Sequence, residues 1–197
     1  MNAEKGNLFV ISSPSGGGKS TVIRGLLKQC PELCYSVSAT TRRPRRGERD
    51  GVDYFFMTAE EFQSRVRRGD FIEWAEVYGF YYGTLKEQIQ ACRDENRPVL
   101  LDLDVQGGLS VKAGMPEATL VFLLPPSLAV LESRLRKRGT ESEEKIQARL
   151  AVAGRELELA DRYDYQVVNE TVSETVRNIY DIIRSLQGSS ITRRVHG

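Results

Sequence analysis

The segment Ser13-Pro14-Ser15-Gly16-Gly17-Gly18-Lys19-Ser20-Thr21 lies between a short apolar run, Leu8 to Ser12, and a helical pattern, Thr21 to Gln29. Strand, glycine-rich turn and helix in that order form the setting of a phosphate-binding loop. Without Cβ atoms, Gly16 to Gly18 can curl backbone N–H groups toward a β-phosphate, and the helix beginning near Lys19 adds the positive end of its dipole. Lys19 then reaches the β- and γ-phosphates, and the Ser20 hydroxyl is placed to ligate Mg²⁺. Ser13 stands where the usual spacing has its first glycine. The plainer alternative is a Gly/Ser-rich turn that binds nothing; the motif alone specifies a nucleotide, not a reaction.

Working outward, Val99 to Leu103, Thr119 to Leu124 and Tyr165 to Val168 are nearly continuously apolar, as strands buried on both faces are, and helical patterns separate them. The expected fold is α/β, a parallel sheet with helices on both faces. Between Ser38 and Tyr82 the pattern changes to short alternating segments, Val52 to Met57 and Phe71 to Val77, around a helix Ala59 to Arg68. This predicts an inserted, mixed β subdomain over 38–83. A charged stretch, Arg134 to Leu150, predicts a helical lid, bounded at 134–155, with the core at 1–37, 84–133 and 156–197. Val172 to Leu186 closes the fold as a helix, and the polar tail from Gly188 is expected to fray.

Composition narrows the chemistry. A chain of 197 residues, 40% hydrophobic and 28% charged, has the profile of one folded domain. The formal net charge of +1 argues against a nucleic-acid partner, and no apolar run approaches the roughly 18 residues that cross a bilayer. Lys5 is followed by no apolar stretch with a cleavage site, so the expected address is cytoplasmic. The single histidine, His196, is next to last, which leaves little room for Ser/His catalysis or histidine metal ligation. Cys30, Cys34 and Cys92 lack the companions of a zinc site and are expected as reduced, packed thiols.

Ser38-Ala39-Thr40-Thr41-Arg42-Arg43-Pro44-Arg45-Arg46-Gly47-Glu48 gathers four arginines around a proline that discourages helix. Their planar guanidiniums suit bidentate phosphate binding, although an isolated basic run is more often a solvated face. Together with Tyr54, Glu73, Tyr82 and Thr84 the segment resembles the monophosphate-binding region of guanylate kinases. The resemblance spans nearly the whole chain, through Phe71-Ile72-Glu73-Trp74-Ala75, Tyr81-Tyr82-Gly83-Thr84, Asp102-Leu103-Asp104-Val105-Gln106-Gly107, Arg138-Gly139-Thr140-Glu141 and Val168-Asn169.

It implies a P-loop kinase acting on ATP and GMP with Mg²⁺, whose inserted subdomain binds GMP. By the same resemblance Ser38, Arg42, Arg45, Tyr54 and Tyr82 would hold the GMP phosphate, and Glu73 and Thr84 would read guanine. A carboxylate can accept from both N1–H and the 2-amino group of guanine, an arrangement adenine does not offer. Glu73 on its own could equally be an exposed strand glutamate, and Tyr81 or Tyr82 could simply pack on the inserted sheet.

Asp102 and Asp104 follow an apolar strand, where ligands gather in open α/β sheets. Period-two alternation puts both on one side, for metal and acceptor positioning, with Asp102 the stronger candidate for Mg²⁺; a helix-capping role stays open for Asp104. Arg134, Arg138 and Arg149 resemble the lid arginines that approach ATP phosphates, the alternative being a salt-laced helix with Glu141, Glu143 and Glu144. Asn169 would lie near adenine and ribose by the same resemblance. The expected catalytic set is Lys19, Arg42, Arg45, Arg138 and Arg149. A non-catalytic interaction scaffold and a kinase for another acceptor are the competing readings, and monomer and homo-oligomer both remain open.

Overall fold

In the computed structural model, residues 6–77, 79–137 and 142–192 are described. The strands are β1 Leu8–Ser12, β2 Cys34–Tyr35, β3 Ala39–Thr40, β4 Phe55–Phe56, β5 Phe71–Val77, β6 Phe80–Leu85, β7 Val99–Asp102, β8 Thr119–Leu124 and β9 Tyr165–Val168. The helices are α1 Lys19–Gln29, α2 Ala59–Arg68, α3 Lys86–Asp94, α4 Val105–Gly114, α5 Leu128–Lys137, α6 Glu143–Leu157 and α7 Val172–Thr192. A five-stranded sheet runs β2-β7-β1-β8-β9, and every pairing in it is parallel.

The continuous apolar runs have a direct cause. Phe9, Ile11, Leu100, Val121 and Leu123 face one side of the sheet, against Val22 and Leu26 of α1 and Val176 and Ile179 of α7. Leu8, Val10, Leu101, Leu120 and Phe122 face the other, against Ile89 of α3, Val111 of α4 and Tyr163. Successive side chains point to opposite faces, so a strand covered on both sides needs apolar residues at every position.

The inserted subdomain is a separate four-stranded sheet, β4-β3-β6-β5. Its small core is built on Phe62 of α2, which stacks on Phe71 at 4.4 Å and Tyr81 at 5.4 Å between ring centroids. α2 is fixed at both ends: Thr58 accepts from the Glu61 N–H, and Gly69 closes the helix at φ 73°. Between the two sheets, the Gln88 amide on α3 accepts from the Val37 N–H at 3.0 Å and donates to the Val37 carbonyl at 2.9 Å. This single side chain pins the backbone where it leaves the parallel sheet.

Several boundaries differ from expectation. Within Val52 to Met57 only Phe55–Phe56 forms a strand, with an isolated bridge from Asp50 to Tyr54. β2 had no apolar run to announce it. β6 continues across position 83 to Leu85, and Arg134 lies inside α5, not at the start of a new segment. Of the three cysteines only Cys30 is a free, buried thiol, which burial pushes up to about 11. Cys34 and Cys92 are joined as a disulfide, with Cα atoms 6.3 Å apart. The expectation of separate thiols fails because β2 pairs with β7 and α3 packs beside β7, bringing together residues 58 apart in sequence. Among the described residues no helix is long and apolar enough to cross a membrane.

Candidate active site

The phosphate-binding loop leaves β1 at the carboxyl end of the parallel sheet and enters α1. Gly16 and Gly18 adopt φ 90° and 92°, values that L side chains rarely take. Space is closed as well: a Cβ on Gly16 would stand 3.1 Å from Leu131 and Leu135 of α5, and one on Gly18 would stand 2.6 Å from the Asn169 amide. Ser13, the departure from the usual spacing, is buried and donates its hydroxyl to the Pro14 carbonyl at 3.2 Å, so the loop accommodates it. Lys19 Nζ pairs with Asp102 at 2.7 Å and donates to the Leu103 carbonyl. The loop from Ser13 to Thr21, with Asp104 and Glu156, lines a cavity of about 330 Å³.

A second cavity, about 210 Å³, lies between the two sheets. Ser38, Tyr54, Glu73, Tyr82, Asp102 and Asp104, six of the expected substrate residues, all line it. Glu73 and Thr84 are cross-strand partners on β5 and β6, in a register that shifts between Phe71 and Glu73. Thr84 Oγ1 donates to Glu73 Oε1 at 2.6 Å. Burial raises the Glu73 carboxyl above the usual range, Thr84 opposes this, and the charge of Asp104 adds to it. Oε2 remains over the start of α4, 3.5 Å from where a Gly107 Cβ would stand.

Arg42 borders this cavity through the Tyr54 ring, its guanidinium 5.3 Å from the centroid. Both of its terminal nitrogens engage Glu48, at 3.0 and 2.9 Å, and the Arg45 N–H donates to the same carboxylate at 2.7 Å. Glu48 is therefore the organiser of the arginine run, a role the sequence reading did not assign. Its position three residues past Arg45 in a Gly-containing turn is the signal available for it. Arg45 itself is exposed.

Asp104 corrects the alternation argument. β7 ends at Asp102, so strand geometry does not extend to Asp104; it is the N-cap of α4, accepting from the Gly107 N–H at 2.7 Å. The capping alternative is the observed one, yet Asp104 still lines both cavities.

Asn169 is buried, and its amide donates to the Gly17 carbonyl at 2.7 Å and accepts from Thr175 Oγ1 at 3.1 Å. It holds the phosphate loop from behind, with both ends of its amide engaged by protein partners. Arg134 reinforces the same joint, reaching the Gly17 carbonyl at 3.4 Å and the Asn169 carbonyl at 3.3 Å. Arg149 of α6 reaches Ser15 Oγ at 3.3 Å. Arg138 lies outside the described residues. Glu156, which lines the loop cavity, went unnoticed in the sequence; the only hint is its position seven residues after Arg149, on the same helix face.

A phosphate loop facing a carboxylate-bearing pocket, with arginines at its rim, is a strongly directional arrangement, and comparison with known proteins gives it a family. The guanylate kinase family model matches residues 5–186. The chain belongs to the guanylate kinase family. It is 47% identical to a guanylate kinase of Thermotoga maritima over 96% of this chain and 91% of that one, and 45% identical to one of Desulfitobacterium hafniense over 93% and 92%. The crystal structure of guanylate kinase from Anaplasma phagocytophilum superposes with a TM-score of 0.76 at 35% identity, covering 94% of this chain and 88% of that one. A gluconokinase from Sinorhizobium meliloti, 14% identical with a TM-score of 0.51, shares the fold alone. As a guanylate kinase the chain is a nucleoside monophosphate kinase, and the scaffold and other-acceptor readings give way.

Proposed function

We infer that this guanylate kinase transfers the γ-phosphoryl group of ATP to GMP, giving ADP and GDP, and that the two cavities are its two half-sites. The observation that carries the reading is their shared wall: Asp104 lines both, and the Lys19–Asp102 pair stands at the junction. A donor phosphate on the loop and an acceptor phosphate beside Tyr54 and Tyr82 would converge there.

In this reading Ser13 to Thr21 cradle the ATP phosphates, with Arg134, Arg138 and Arg149 approaching from the helical side and Asn169 supporting the loop. Ser38, Arg42, Arg45, Tyr54 and Tyr82 hold the GMP phosphate, while Glu73, oriented by Thr84, accepts from the guanine N1–H and 2-amino group. The nucleophile is a GMP phosphate oxygen, whose second pKa of about 6 leaves it mostly dianionic at neutral pH, so no base is required. Catalysis consists of aligning two mutually repelling phosphates and neutralising the charge that develops, work for Lys19, Arg42, Arg45, Arg138 and Arg149.

The residues present fit Mg²⁺. Ser20 and Asp102 are hard oxygen donors at the loop, and no group of three or more His, Cys, Asp and Glu among the described residues could cage a metal alone. That suits an ion usually held by one or two protein oxygens plus substrate phosphates. When bound, Mg²⁺ would supply positive charge to the β- and γ-phosphate oxygens. Free nucleotide substrates also fit a cytoplasmic address.

The test is ADP release with ATP and Mg²⁺, comparing GMP, AMP, CMP, UMP and no acceptor at equal concentrations. Turnover with GMP alone is expected. Preference for another acceptor would overturn the pocket assignment, and no turnover with any acceptor would overturn the reaction.

A further inference from the structure

Two stretches of chain join the parallel sheet to the inserted sheet, and one side chain bridges them. On the outward path the Ser36 N–H donates to the Leu100 carbonyl of β7 at 3.0 Å, and the Ser38 carbonyl accepts from the Phe55 N–H at 2.9 Å. Val37 stands between these two bonds. On the return path Leu85 is both the last residue of β6 and the N-cap of α3. Gln88, in the first turn of that helix, meets both backbone groups of Val37: Oε1 accepts from the N–H at 3.0 Å, and Nε2 donates to the carbonyl at 2.9 Å.

The helix is itself tied to the core. Ile89 is buried with Val99 and Leu101 of β7, and Cys92, about one turn after Gln88, is joined to Cys34 of β2. Residues 88 and 92 thus hold 37 and 34, so α3 straps the outgoing chain at two points. A primary amide that serves one residue's N–H and C=O together has the bonding pattern of a strand partner, and it fixes the orientation of that backbone as well as its distance. What it fixes adjoins the acceptor pocket. Ser38, one residue on, lines the cavity assigned to GMP, and Thr84, four residues before Gln88, donates to Glu73 at 2.6 Å. Asp102, which lines the same cavity, ends β7.

We propose that Gln88 is a positioning residue for the acceptor nucleotide: by clasping the outgoing and returning chains together it sets where Ser38 and the Glu73–Thr84 pair stand relative to Asp102. Gln88 lines neither half-site cavity, so its effect is exerted through Val37. The proposal rests on the GMP half-site assigned above and deepens it, because part of GMP recognition then resides in a helix of the core.

The experiment measures binding of GMP, and separately of ATP with Mg²⁺, by calorimetry, together with steady-state kinetics and thermal melts. The proteins are wild type, Gln88→Met, Gln88→Glu and Ile89→Val, all without reductant, which keeps the Cys34–Cys92 link in each. Met keeps the length of the side chain and removes both bonds; Glu keeps the acceptor and turns a second oxygen toward the Val37 carbonyl. Ile89→Val removes a buried methyl from the same helix and leaves the Gln88 amide in place. Both Gln88 variants are expected to raise Kd and KM for GMP roughly tenfold, the scale of a lost pair of hydrogen bonds, with ATP affinity within twofold of wild type. Ile89→Val is expected to lower Tm with GMP affinity within twofold. Wild-type GMP affinity in either Gln88 variant would overturn the proposal. So would equal losses for ATP and GMP, or a matching GMP loss in Ile89→Val, either of which would reduce Gln88 to a support of the fold. Failure of the wild type to bind GMP would sink the acceptor half-site itself, an outcome distinct from these.

Discussion

Replacing Glu73 by glutamine should remove GMP use while leaving ATP binding and folding intact. Thr84 occupies one lone pair of Oε1 with a 2.6 Å bond, which leaves Oε2 and the rest of Oε1 to accept from guanine. In Glu73→Gln the carboxamide NH₂ would meet guanine donors, so one bond is replaced by an opposed pair and the other loses its charge. Hydrogen bonds to charged groups are worth about 1.5–3 kcal/mol each, so losing two costs roughly 3–6 kcal/mol. That corresponds to a fall of about 10² to 10⁴ in kcat/KM for GMP. Stability should move the other way. Burial raises the folded-state pKa of Glu73 above its unfolded value, so ionisation destabilises the fold as pH rises through the folded pKa. A neutral glutamine escapes that loss, and the variant's Tm at pH 8 should be no lower than wild type. Steady-state assays varying GMP and ATP in turn, with calorimetric ATP titration and thermal melts, check all three. Equal losses for ATP and GMP, or a GMP effect below threefold, would refute the assignment.

Arg42→Lys cannot keep the two-nitrogen grip on Glu48 or offer a fork to phosphate; KM for GMP should rise about tenfold or more with ATP affinity unchanged, read from the same assays. Asn169→Ala leaves the Gly17 carbonyl and the Thr175 hydroxyl without their partner, a loss of about 1–3 kcal/mol, seen as a Tm lower by roughly 2–10 °C together with weaker ATP binding. Guanosine, which lacks the phosphate that titrates near pH 6, should lose affinity on acidification at a higher pH than an ordinary carboxylate would dictate, because only ionised Glu73 accepts from both guanine donors. A competition titration against pH, repeated with Glu73→Gln, should show that dependence vanish.

Legibility in the sequence followed how local the cause was. β1, β7 and β8 could be read because both faces of each are covered, which forces unbroken apolar runs, whereas β9 is an edge strand that buries Val167 and leaves Gln166 and Val168 exposed. β2 escaped because two residues at a sheet edge, Cys34 and Tyr35, make no pattern, and the Cys34–Cys92 link escaped with it. The loop glycines were legible since their φ values and the proximity of Leu131 and Asn169 exclude side chains. The pairing of Glu73 with Thr84 was not derivable from spacing, because it depends on a register shift inside the hairpin; only the family resemblance supplied it. Asp104 misled because alternation was carried past the end of β7. The Asn169–Gly17 bond was not legible because it joins residues 152 apart in sequence.

One pattern joins the residues that were anticipated to those that were not. Two of the cations assigned to the phosphates in the proposed reading already hold an internal acid: Lys19 holds Asp102 and Arg42 holds Glu48. An unpaired buried cation is costly, so these partners keep the donors ordered and partly neutralised. In the proposed reading phosphate binding at these two cations is an exchange of one anion for another, and its net favourability is smaller than the number of donors suggests. Discrimination between nucleotides cannot come from such exchanges, since every nucleoside monophosphate brings the same phosphate. In the proposed reading it falls to Glu73 and Thr84, because a buried carboxylate whose acceptors match the donors of guanine would make a mismatched base expensive.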